Sequence, residues 1–267
     1  MAYELKDQRM SGVVDYDVAR RQGTSHWNNL AQQNLTGRDF ATHLLDGLKR
    51  EPALSPAYLT ELSGNSWEQT TSLLADFAHL FAIASHGWPV MATQVAAGLQ
   101  HHLPSDLVPS DLAVSLFGDS ILHADCIRQL AVAVGPTRLR AGLTTAEANA
   151  LAHRRRMEIL LTSERTGCAF GTGIAISLSW MRVAGIISHV LQTAPSGHPA
   201  ITVPELEVMA NQPPASTSTL AQYLATAAES PSARRGLLFG IGQALALQVT
   251  FWSLLADRAR TLSRRKA

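Results

Sequence analysis

The chain has 267 residues, 46% of them apolar and 16% charged, with a formal net charge of +1. This length and apolar content suffice for a sizeable buried core, while the near-neutral charge argues against a nucleic-acid surface, which needs a concentrated positive field. The two cysteines, Cys126 and Cys168, are too few and too far apart for a disulfide framework or a cysteine zinc site.

Lysine is confined to Lys6, Lys49 and Lys266, and alanine is abundant, a bias associated with GC-rich bacterial coding. The start, Met1-Ala-Tyr-Glu-Leu-Lys-Asp7, is polar and lacks the apolar stretch of a signal peptide. A cytoplasmic protein is therefore expected.

Residues 1–34 are polar and mixed, and predict loop with one short helix. Thr36 precedes the helical run Arg38–Leu48, which Pro52 closes. Ser55-Pro56 reads as an N-cap followed by proline at the first helical position, and Gly64 suits a C-terminal cap. Ser66 with Gln69 makes a capping box that opens a helix from Trp67 to about Ser85. His86-Gly87-Trp88-Pro89 interrupts, and Val90–His101 reads as another helix. A short helix is expected over Ser110–Phe117, and a longer one from Ser120 to Val134, stopped by Gly135-Pro136.

Thr144 with Glu147 forms a second capping box, and the helix after it is expected to reach Arg165. An apolar helix follows over about Thr172–Leu191. The stretch Thr193–Gln212 is rich in proline and small polar residues, with a short helix starting at Pro204. Thr219 with Gln222 opens a helix to Ala228, and Ser232 caps a final helix, Ala233–Leu262. No alternating pattern is long enough for a strand pair. The expected fold is all-α, a multi-helix bundle with an apolar central helix near the C-terminus. Residues 1–64 would form a peripheral segment with short helices, 65–262 the bundle core, and 263–267 a frayed basic tail.

Gly236–Ala256 is a run of 21 uncharged residues, matching the ~20 needed to cross a bilayer. Gln243 and Gln248 lie within it, and each needs a polar partner in lipid. Asp76, Asp119, Asp125 and Glu158 interrupt other apolar segments. A buried central helix therefore ranks above a membrane span, with a small multi-helix membrane protein as an alternative.

The sequence carries no phosphate loop, nucleophile elbow or metalloprotease motif. The glycines Gly236, Gly240 and Gly242 lie in a helical run and suit close helix packing better than nucleotide binding. The candidate chemistry is a set of acids and imidazoles on apolar helices. Asp76 and His79 share a helix face, as do Asp119 and His123. His153 and Glu164 lie on one expected stripe of the helix after Thr144. Carboxylates with histidines on facing helices are what a non-haem iron or manganese site requires. Asp76, His79, His123, His153 and Glu164 are the candidate ligands. They would serve an oxidoreductase acting on a small apolar organic substrate.

The structural explanations are an ion pair of Asp76 with Arg128 or Arg182, and of Glu158 with Arg154. On that basis the alternative is a metal-free helical protein that binds an apolar ligand or buries a face against a second copy of itself.

Overall fold

The computed structural model describes residues 35–54, 56–88, 119–137, 142–193, 201–211 and 217–263, together with Trp27, Leu30 and Met91. The loop expected over residues 1–34, the helices expected over 90–101 and 110–117, and residues 264–267 of the basic tail lie outside them. Among the described residues there are nine α-helices and no strand: α1 Gly37–Lys49, α2 Ala57–Thr60, α3 Trp67–Ser85, α4 Asp119–Val134, α5 Leu143–Leu161, α6 Cys168–Gln192, α7 Pro204–Asn211, α8 Thr217–Ala227 and α9 Pro231–Ser263. The fold is thus the all-α bundle that the periodicity predicts.

Local chemistry sets several of the helix starts. The Thr36 hydroxyl accepts from the Asp39 amide at 3.3 Å, and Ser66 accepts from the Gln69 amide at 3.4 Å. Both are N-cap bonds that satisfy a donor the helix itself leaves free. The C-terminal end of α1 is tied down by Arg182 of α6, which donates to the Lys49 carbonyl at 3.1 Å.

Two starts differ from expectation. α5 begins after Gly142, whose φ of +82° favours glycine, with no side-chain cap. Thr144 is already inside the helix, and Glu147 reaches across to α3 instead of back to the cap. α9 is capped two residues earlier than Ser232, because Ser230 accepts from the Ala233 amide at 3.1 Å and Pro231 takes the first helical position.

The longest helix, α9, is the centre of the bundle. It packs along α6 and against α5, while α3 lies against α4 and α5, α7 against α6, and α8 against α1. The residues Leu237, Ile241, Ala244, Gln248, Phe251, Leu255 and Arg258 recur at steps of four and three, and all are buried. This spacing makes one continuous inward stripe. The early part of the chain joins the same core: Phe40, Leu44, Leu48, Leu59 and Leu62 are among its fully buried side chains.

The α6–α9 crossing is set by glycine. A Cβ added at Gly167 would sit 2.6 Å from the Ala233 carbonyl oxygen. One at Gly171 would collide with the Leu237 carbonyl, and ones at Gly236 and Gly240 with the carbonyls of Thr166 and Cys168. A pair of glycines four residues apart on each side, Gly167 at the N-cap of α6 with Gly171 inside it, and Gly236 with Gly240 on α9, therefore lets the backbones touch, an approach any side chain would block. Helices α6 and α9 are both long and apolar enough to cross a membrane by length and composition. The buried core helix of a soluble bundle meets the same test, and 61% and 50% of their apolar windows are buried here.

Candidate functional site

The interior holds a connected group of aromatic rings. Phe77 and Phe81 of α3 stack on each other at 5.2 Å, Phe77 stacks on Trp252 of α9 at 5.9 Å, and Phe81 on Trp180 of α6 at 5.2 Å. Phe251 meets Phe81 and Trp252 edge-on, each at 5.6 Å. Tyr58 of α2 stacks on Trp252 at 6.5 Å and donates its hydroxyl to the Leu73 carbonyl at 3.0 Å. Burial, reinforced by the Asp76 carboxylate, pushes the Tyr58 phenol far above its ordinary range, so the group stays protonated.

Polar side chains border these rings. Asp76 of α3 and Arg258 of α9 form a buried ion pair, with Arg258 Nε donating to Asp76 Oδ2 at 3.0 Å. This is the partner of Asp76; neither Arg128 nor Arg182 fills that role. Arg128 pairs with Asp125 at the surface, at 3.0 Å. The Arg154–Glu158 pair is present as expected, at 3.1 Å.

His153 of α5 lies against Phe251, ring centroids 5.3 Å apart. Its burial drives the imidazole pKa down to about 4, opposed by a hydrogen bond to the Leu247 carbonyl. The ring is therefore neutral near pH 7. Its Nδ1 is buried and makes no hydrogen bond.

Three atoms on α9 share that condition: Gln248 Oε1, Trp252 Nε1 and Arg258 Nη2 are buried and make no hydrogen bond. The Gln248 amide nitrogen donates to the Ala175 carbonyl of α6 at 3.4 Å, which fixes the orientation of the amide and leaves its oxygen open. Each such group carries a desolvation cost of about 1–3 kcal/mol, so four in one core are a concentrated expense of stability.

The five candidate metal ligands are placed as follows. Asp76 is engaged by Arg258. His79 pairs with Glu147 of α5 at 2.7 Å, half exposed. His153 is buried beside Phe251. Glu164 is exposed in the turn between α5 and α6, because α5 ends at Leu161, short of the expected Arg165. His123 lies on α4, with its side chain outside the described set. Among the described residues no three His, Cys, Asp or Glu side chains group as a metal would need.

The sequence reading missed Arg258, Trp252 and Gln248 as site residues. Their signal was available: all three lie on the inner side of a long apolar helix, two of them in its heptad-like stripe. Cys126 and Cys168 are both buried and are not joined in a disulfide. Burial, helped by Glu205 and Asp125, pushes the Cys126 thiol up to about 12, which makes it a poor nucleophile.

A buried ion pair, a neutral imidazole and open amide and indole groups around stacked rings define an all-α bundle with a polar-edged aromatic interior. The chain belongs to the family of unknown function DUF6975, which it matches over residues 48–265. No curated protein and no solved structure matches it.

Proposed function

We propose that this protein is a cytoplasmic, metal-free binding protein for a small apolar organic ligand, held against the aromatic cluster between α3, α5, α6 and α9. The observation that carries this reading is the set of four buried polar atoms without partners, on His153, Gln248, Trp252 and Arg258. Ligand sites combine mainly apolar and aromatic lining with a few placed polar groups. Open donors and acceptors beside aromatic rings are what such a ligand would satisfy, offsetting their desolvation.

The iron or manganese oxidoreductase is set aside in this proposal on the chemistry of its donors. The Asp76 carboxylate is already paired with Arg258, and the His79 ring is hydrogen-bonded to Glu147. A metal would have to displace both partners and leave a buried guanidinium unpaired, which is costly.

The test is organic extraction and native mass spectrometry of protein purified without detergent, with elemental analysis of the same sample. A retained organic molecule near one per chain, or saturable uptake of an apolar fluorophore, is expected. Absence of both would overturn the proposal. Near-stoichiometric iron or manganese would overturn its metal-free part and return the oxidoreductase to first place.

A further inference from the structure

Within that ligand-binding reading, on which this inference rests, we infer that the ligand is an uncharged aromatic alcohol whose hydroxyl sits between Gln248, Trp252 and His153. Gln248 and Trp252 are one turn apart on α9, so their side chains are neighbours on the same face. Gln248 offers an acceptor in Oε1, and Trp252 offers a donor in Nε1–H; both are buried and open. His153 is at the same level of the bundle, since its ring packs on Phe251. With the ring proton on Nε2, its open Nδ1 is a second acceptor. A hydroxyl on a ligand both donates and accepts through a single oxygen. It could donate to Gln248 or His153 while accepting from Trp252.

Charge narrows the class further. Arg258 is the buried cation of this interior, and Asp76 already balances it at 3.0 Å. A carboxylate ligand would add a second anion beside Asp76 with only the open Nη2 of the same guanidinium to share, and two buried anions on one cation leave net charge unbalanced, which is unfavourable. An ammonium ligand meets the reverse problem, since the Asp76 carboxylate is taken. An uncharged ligand avoids both costs. The rings of Phe77, Phe81, Trp180 and Trp252 border the site and favour an aromatic body, which they can meet edge-on.

The experiment is equilibrium dialysis of the full chain at pH 7 against three matched probes: naphthol, naphthoate and naphthalene. Naphthol is uncharged there, as phenols titrate near the tyrosine value of about 10. Naphthol is expected to bind about tenfold or more tighter than either other probe, the worth of one buried hydrogen-bonding group. Gln248→Leu and Trp252→Phe, each checked by thermal melting, are expected to erase the advantage of naphthol over naphthalene. If either variant fails to fold, the wild-type series still decides.

Naphthoate binding as tightly as naphthol would overturn the uncharged assignment. Naphthalene binding as tightly as naphthol would overturn the hydroxyl contact and keep an apolar binding site. No saturable binding of any probe would overturn both this inference and the ligand-binding reading beneath it.

Discussion

Asp76 and Arg258 stand 182 residues apart in sequence and are both almost fully buried, so each is the other's solvation. Replacing Arg258 alone by Met leaves a buried carboxylate unpaired and should cost about 3–5 kcal/mol. Replacing both, Asp76→Leu with Arg258→Met, should recover most of that loss; urea unfolding of the single and double variants reads it directly. Equal destabilisation by the single and double changes would show that the pair does not act as a unit. His153 gives a pH dependence with a definite sign. Its pKa falls from 6.5 to about 4 on folding, so the unfolded chain binds the proton more readily. The stability is fully present above about pH 6.5 and is lost as pH falls toward 4, by roughly 3 kcal/mol from this group. His153→Leu should flatten the dependence of stability on pH over that window, and an unchanged slope in the variant would remove His153 as its source. Asp76 was legible as an inward residue from Leu73 and Leu80 beside it. Its partner was not, because helical spacing identifies neighbours within a helix and says nothing of which distant helix lies opposite.

The α6–α9 crossing depends on atoms that are absent from glycine. Gly240→Ala would drive a Cβ into the Cys168 carbonyl, a backbone atom that cannot swing aside. Overpacking of this kind costs about 1–3 kcal/mol or more. Gly185 lies on α6 with nothing within 4 Å of an added Cβ, so Gly185→Ala should instead stabilise, by up to about 1 kcal/mol of helix propensity. Thermal melting of the two variants should therefore move in opposite directions, and a shared direction would mean that backbone contact does not set the crossing. The glycine spacing made this close packing legible in advance, as did the caps at Thr36 and Ser66. The Thr144–Glu147 box was not a box, because His79 on α3 offers Glu147 a partner across the helix interface at 2.7 Å. A capping motif states what a side chain can reach locally; a tertiary partner decides whether it does. The same limit explains Glu164, which shared a stripe with His153 only if α5 continued past Leu161.

Hydropathy identifies α6 and α9 as long and apolar enough to cross a membrane without saying what surrounds them. Here they are covered by α3, α5, α7 and one another, and the buried Gln248 and Arg258 sit on the inward stripe of α9. This arrangement gives the whole bundle one cooperative core, and the two cysteines are reporters inside it. Cys126 is on α4 and Cys168 begins α6; both are fully buried, and the Cys126 thiol is held protonated. Reaction with a maleimide needs both access and thiolate, so native protein in detergent-free buffer should label slowly at either site. Across a urea titration both cysteines should become reactive together, with the same midpoint as the loss of helical circular dichroism, as a two-state domain requires. Labelling of Cys126 well before Cys168 would show that α4 detaches from a more stable α6–α9 centre, and the bundle would then be two cooperative units. Rapid labelling of both in native buffer would mean that the α4 and α6 interfaces are open in solution, and the buried aromatic interior argued for ligand binding would lose its enclosure.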